Sequence, residues 1–407
     1  MTAAQAPPAP ALPRSSTRAV WLPVAAVLLG TGWGANQFAP LLLVYRTTLD
    51  LGTGTLEAMF GFYALGLIPG LLLAGPVSDA RGRRYVVVPA AALSLLASLV
   101  LLAGADSVPV LFLGRLLAGV SSGIVFGAGT AWLRELSARA GDSGQVTARR
   151  AAVAMTAGFA LGPLVSGLLA QWAPLPRVAP YLPHIALMIV VLVALRDAPE
   201  TVGGTRRRVR LAVPGARSAR FRRVVAPMAP WVFAAPAIAF ALLPSVVNAG
   251  SATDGIALAA LVTSLTAFAG VLIQPLARRL DAHGRRNRAG IAGLLMAAAA
   301  LVLAAITAET GAIWMLVPCA ILLGSAYGLC LVAGLVEVGR LADQNELAGL
   351  TAAYYALTYL GFAAPSLFAL AAHLAGYPTL LSIAAALALA TALTISRSSG
   401  RLAHELT

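Results

Sequence analysis

Gly75-Pro-Val-Ser-Asp79-Ala-Arg-Gly82-Arg83-Arg84 is a charged turn between two long apolar runs. An aspartate closes one run, a glycine suited to a left-handed helix stop follows three residues on, and two arginines open the next. The same spelling returns as Asp281-Ala-His-Gly284-Arg285-Arg286, so Asp, Gly, Arg and Arg repeat 202 residues later in a chain of 407. Only the leading glycine changes, Gly75 becoming Ala277. Two further landmarks share that spacing, Glu135 with Glu337 and Pro163 with Pro365. The chain therefore reads as two tandem halves of one orientation, with an elbow at the same place in each.

The runs between these landmarks decide the solvent. Apolar residues make up 59% of the chain and charged residues 11%, and the mean hydropathy is +0.84; a soluble protein carries about 25% charged residues. Twelve runs are long enough to span a bilayer. They are expected at about 19–45, 56–77, 85–103, 108–134, 150–172, 181–195, 224–248, 255–277, 289–308, 312–337, 347–373 and 377–395. The formal charge of +14 suggests nucleic acid, but its distribution excludes that reading. All 29 basic residues are arginine, and they gather in links at alternate ends of the runs, the positive-inside pattern that puts both termini and the elbows in the cytoplasm. Arg206-Arg207-Arg208 in the central link then faces an anionic leaflet. Cys319 and Cys330 stand about 16 Å apart along one helix, too far to bond within it. The four histidines, His184, His283, His373 and His404, fall at loops or run ends without metal-ligand spacing, and no catalytic grouping lies within one segment. No metal, cofactor or enzymatic chemistry is expected.

The elbow resembles the loop between helices 2 and 3 of the major facilitator superfamily, Gly-x-x-x-Asp-x-x-Gly-Arg-Arg, with every fixed position present in the first copy. The resemblance implies an all-α membrane protein of twelve transmembrane helices in two six-helix pseudo-repeats. The divisions are a tail over 1–18, a first bundle over 19–196, an arginine-rich cytoplasmic linker over 197–223, a second bundle over 224–396 and a tail over 397–407. It also implies a latch of Gly75, Asp79, Gly82, Arg83 and Arg84, repeated by Asp281, Gly284, Arg285 and Arg286, that holds the outward-open state. Without the family, Asp79 is a helix stop and the arginines set topology.

Gly158-Phe-Ala-Leu-Gly162-Pro163-Leu-Val-Ser166-Gly167 resembles the family's antiporter signature, with Ser166 in place of a glycine. Physically, Gly158, Gly162 and Ser166 share a face that admits a close neighbour, and Pro163 bends the helix; a packing kink without exchange chemistry fits equally. Arg115-Leu-Leu-Ala118-Gly119 resembles loosely the helix-four motif that assists proton movement. An arginine inside a spanning segment costs about 2.5 to 3.5 kcal/mol on insertion scales, so it serves a function, finds a partner or reaches the outer headgroups. Glu57 in the first turn of its helix favours the helix dipole or carries a proton; Asp50 and Asp79 are weaker carriers. Glu135 and Arg139 read as a surface ion pair.

By depth, Asn36, Gln37, Tyr63, Ser122, Tyr327, Tyr354, Tyr355 and Thr358 are candidates to line a cavity. With no acidic residue in mid-helix, a neutral or partly anionic amphipathic compound suits that cavity, and a cation held by aromatic faces remains open. The expected function is proton-coupled export of small, mostly apolar compounds by a monomer in the cell membrane. Its partners are substrate, protons and lipid. The rivals are an inward metabolite symporter and a non-transporting membrane receptor or assembly factor.

Overall fold

The structure, a computed structural model, describes residues 20–202, 214–247, 254–281, 287–341 and 347–404. Among them, twelve helices are long and apolar enough to cross a membrane: α1 Leu22–Thr48, α2 Thr53–Arg81, α3 Arg83–Ala103, α4 Val108–Arg139, α5 Arg149–Trp172, α6 Ala179–Asp197, α7 Phe221–Val246, α8 Gly255–Asp281, α9 Arg288–Thr310, α10 Ile313–Leu341, α11 Gly349–Ala371 and α12 Tyr377–Ser398. All twelve expected spans are present. The elbow is less of a turn than its spelling suggests, because α2 stays helical through Arg81 and only Gly82 breaks the chain. Gly82 sits at φ +109°, where a side chain is strained, and a Cβ there would lie 2.5 Å from Glu200 Oε2.

Within lipid, helices associate through close packing at small residues, there being no water to expel. The chain applies this at equivalent places in both halves. On α4, a Cβ on Gly119 would stand 2.0 Å from Tyr63 O, and one on Gly123 2.2 Å from Leu67 O, so α4 rests on the backbone of α2. On α10, a Cβ on Gly324 would stand 2.3 Å from Thr266 O, and one on Gly328 2.0 Å from Gly270 O, so α10 rests on α8. The two halves repeat the contact with glycines at different offsets.

Two helix pairs make most of the contact between the halves, α5 with α8 and α2 with α11. Five side-chain bonds between the halves, among the described residues, lie midway or at the end remote from the elbows, the far end. Arg46 Nη1 donates to Ser245 O (2.6 Å), Gln171 Oε1 accepts from the N–H of Ile256 (3.1 Å) and Ala257 (3.2 Å), and Ser366 Oγ donates to Glu57 O (2.7 Å). Ser264 Oγ donates to Ala160 O (2.7 Å) nearer the middle. At the elbow end a Cβ on Gly75 would meet nothing within 4 Å, and the Asp79 side chain is half exposed. The bonds seen among the described residues thus join the halves midway and at the far end, while the described part of the elbow leaves Gly75 and Asp79 open.

This packing makes a testable contrast on one helix. Gly328→Ala places a methyl against the Gly270 carbonyl and is expected to lower the melting temperature of the detergent-solubilised protein, by the equivalent of ~1–3 kcal/mol of overpacking. Gly339→Ala, where a Cβ meets nothing within 4 Å, is expected to leave it unchanged or slightly raised.

Candidate functional site

Pro40 has no N–H to offer, and α1 breaks there into Leu22–Asn36 and Leu41–Thr48. The neighbouring bonds shift by one residue: Ala39 N–H donates to Asn36 O and Leu41 N–H to Phe38 O. Two carbonyls lose their helical partners, and both find side chains. Arg115 Nη1 donates to Ala35 O (3.2 Å), and Ser166 Oγ donates to Gln37 O (2.7 Å). Ser166 thus makes a bond that the glycine expected at its place could not.

Arg115 is 1% exposed. Besides Ala35 O it donates from Nη2 to Phe60 O (3.4 Å), and its guanidinium lies 4.8 Å from the Phe38 ring and 4.7 Å from Tyr63. The headgroup reading is therefore wrong: aromatic faces and carbonyls of α1 and α2 hold the charge within the first half. Its Nε has no partner.

Tyr63 also lines the central cavity, which encloses about 490 Å³ of empty space, counting what is open to solvent. Phe126 and Phe159 form one wall, with ring centroids 5.5 Å apart. Opposite them Phe233, Tyr359 and Phe362 stack at 4.5 and 4.9 Å from Phe233, joined by Tyr327 at 5.5 Å. Among the described residues, Asn36 and Thr266 are the polar non-aromatic ones of the lining, and none of the lining is charged.

Of the candidates chosen by depth, Asn36, Tyr63 and Tyr327 reach this cavity; the others turn elsewhere. Gln37 Nε2 donates to Ser98 Oγ (2.9 Å), which in turn faces His184 Nδ1 (2.8 Å). His184 Nε2 lies 3.0 Å from Gly30 O, and because a carbonyl only accepts, the ring is protonated at Nε2 and accepts at Nδ1. His184 is thus a fully buried strut between α6, α3 and α1, not a loop residue. Tyr354 donates to Cys330 O (3.1 Å), Thr358 to Tyr355 O within its own helix (2.7 Å), Tyr355 packs on Tyr354 and Tyr359, and Ser122 lies beside Tyr63 behind the lining. Depth in the sequence cannot give azimuth around a helix. The missed lining residues are mostly phenylalanines and Tyr359, with Pro236, Thr266 and Ala267, which in so apolar a chain look like any lipid-facing or packing residue.

The antiporter-like stretch of α5 packs against two helices. A Cβ on Gly158 would lie 2.1 Å from Leu29 O, and one on Gly162 2.7 Å from Trp33 O, both on α1; one on Gly167 would lie 2.3 Å from Ala260 Cβ on α8. Pro163 sits inside the unbroken helix.

At the elbow, Arg83 binds Asp79 (2.6 Å) and Glu135 (2.8 Å) and donates to Ser78 Oγ (2.6 Å). Glu135 therefore belongs to Arg83, not to Arg139, which donates to the carbonyls of Glu200 (3.2 Å) and Thr201 (2.8 Å). Glu200, from the Pro199-Glu200-Thr201 that closes the first half, accepts the N–H groups of Arg83 (2.9 Å) and Arg84 (3.0 Å) at the start of α3. These bonds all stay within the first half: Asp79 pairs with Arg83, one of the nearby arginines of the latch motif, and its side chain is half exposed. The second half repeats the carboxylate's role, Glu337 binding Arg220 (2.6 Å) and Arg340 (2.9 Å) while Asp281 Oδ1 accepts the N–H of Ala289 (3.1 Å). Gly284, Arg285 and Arg286 lie outside the described residues, as do Arg206 to Arg208. Glu57, expected to lean on its helix dipole, is instead fully buried, one turn further into α2.

Comparison with known proteins follows this geometry. A family model described as Major Facilitator Superfamily matches residues 22–253. Three solved structures superpose over nearly the whole chain. The nucleoside transporter NupG does so with TM-score 0.72 at 14% identity, covering 92% of this chain and 98% of its own. A POT family transporter in complex with 5-aminolevulinic acid gives 0.75 at 12%, covering 94% and 96%. A D-xylose-proton symporter gives 0.68 at 18%, covering 93% and 96%. A search of curated protein sequences gives no match. Identities this low speak for the fold alone.

The Glu200 cap has a pH signature. Partial burial works against its charge, but the N–H groups of Val202, Arg83, Thr201 and Arg84 outweigh it and hold the carboxyl below the usual glutamate range. The cap is then fully present above the unfolded glutamate's pKa and is lost as pH falls through the lowered folded value. Glu200→Gln is expected to melt a few degrees below the wild type at neutral pH, the gap closing on acidification below about pH 4, as read by thermal unfolding in detergent.

Proposed function

The chain belongs to the Major Facilitator Superfamily and is a multi-pass membrane transporter; from that premise we propose that it exports small, mostly apolar compounds by proton-coupled alternating access. The observation that carries this reading is the central cavity, walled by aromatic rings from both halves and, among the described residues, lined by none that is charged. Rings give area without demanding a specific donor or acceptor pattern, which suits varied amphipathic compounds better than sugars or peptides.

The positive-inside distribution of arginine puts the elbows in the cytoplasm, so the arrangement described opens its cavity inward. Rocking of the two halves about the cavity would close the elbow end and open the far end. In that state the exposed Asp79 meets the second half, and the elbow acts as the latch. Arg115 is the proposed coupling residue: its charge is suspended on carbonyls of α1 and α2 and lies against Tyr63, which lines the cavity. Movement of either helix alters its partners, and with them the stability of a charge nearby. The close seats of Gly158 and Gly162 on α1 let α5 transmit the same motion.

Proteoliposomes with an imposed pH gradient test the reading. Proton flux opposite to substrate supports export; flux in the same direction identifies an uptake symporter, and no flux with any compound identifies a non-transporting receptor. Asp79→Asn is expected to express normally and to lower transport at least tenfold, and full transport removes the latch. Arg115→Ala is expected to abolish pH-driven efflux while substrate binding, measured by quenching of cavity fluorescence, persists within about threefold; normal pH-driven efflux returns Arg115 to packing alone.

A further inference from the structure

Glu57 is buried to 0% exposure, and neither carboxyl oxygen has a hydrogen-bond partner. Its position is not arbitrary. The main-chain oxygen of the same residue accepts Ser366 Oγ–H from α11 at 2.7 Å, one of the bonds that join the two halves at the far end. A Cβ on Gly61, one turn along α2, would lie 2.9 Å from that same serine oxygen, so α2 and α11 are in close contact here.

The polar groups around it have other partners. Arg46, near the end of α1, gives Nη1 to Ser245 O (2.6 Å) across the seam. Arg115 on α4 gives Nη2 to Phe60 O, one turn further along α2. Tyr377, opening α12, shares its electrostatic surroundings with both Glu57 and Arg46. None of them donates to the carboxyl. An ionised carboxylate with no donor, fully buried beside the contact of α2 with α11, is not a stable arrangement; the group is compatible with this seal only as the neutral acid.

We propose that Glu57 is the proton-binding group of the far-end seal: its carboxylate takes one proton from water on the far side as the condition for α2 to close on α11, and returns it to that side when they part. The step is a single proton transfer between water and the carboxyl, with no other bond made or broken. With the seam open, Glu57 meets water, which solvates the carboxylate and exchanges its proton. Acid on the far side therefore favours sealing, and alkali favours opening. This inference rests on the alternating-access reading and adds to it the residue through which far-side pH acts.

Spin labels on Thr48→Cys at the end of α1 and Leu374→Cys between α11 and α12, both at exposed sites, report the distance between halves at the far end. In an otherwise wild-type chain, raising the pH is expected to move the population toward the longer distance. Glu57→Gln, which keeps the shape of the neutral acid, is expected to stay at the short distance at every pH, and Glu57→Asp to keep the pH response with a shifted midpoint. A pH response surviving in Glu57→Gln overturns the assignment, as does its absence in the wild type while substrate still moves the labels. Labels that neither pH nor substrate moves in any variant would refute alternating access itself, a separate failure.

Discussion

Inside a bilayer a backbone carbonyl that loses its helical partner must find another, and Pro40 imposes that demand at the centre of this protein. The break in α1 releases Ala35 O and Gln37 O, and the two side chains that take them, Arg115 and Ser166, come from α4 and α5. One missing N–H thereby ties three helices of the first half at the level of the cavity. It also accounts for a buried arginine with no carboxylate: two carbonyl dipoles and two aromatic faces replace the counter-ion.

The elbow serves a different need. Gly82 must turn the chain in a conformation that leaves the first N–H groups of α3 without partners, and Glu200 fills that need from more than a hundred residues away. Because Glu200 occupies the space a Cβ on Gly82 would take, the glycine is required both for its backbone angle and for its emptiness. Arg83 then joins Asp79 and Glu135, and Glu337 collects Arg220 and Arg340 in the second half. The repeat of Glu135 by Glu337 preserves a job, the binding of arginine at the elbow end, while the arginines themselves come from different places.

Polar groups at the far end behave otherwise. Bonds such as Arg46 to Ser245 O and Ser366 to Glu57 O join the halves through single contacts, which can be exchanged for water at modest cost. The elbow clusters, networks within one half, move with it as rigid parts. Strong ties inside each half and replaceable ties between them are what a rocking mechanism needs.

The spans, their number and the duplication were legible in the sequence because length, apolarity and a repeated charged spelling survive without tertiary context. So was the importance of Arg115, since a charge in an apolar run needs a reason. What the linear chain could not reveal was direction around each helix axis. Gln37 and Tyr354 are as deep as Asn36 and Tyr327 yet bond away from the cavity, and the phenylalanines that line it carry no mark to distinguish them from packing residues. Likewise Glu135 stands one turn from Arg139 in sequence but pairs with Arg83, because the Pro199-Glu200-Thr201 segment folds back and claims Arg139 for its carbonyls. Sequence alone determined which segments enter the membrane, because that depends on composition. Which groups meet inside it was decided only by the tertiary structure, because partners are set by helix rotation and by backbone breaks whose consequences fall on residues far along the chain.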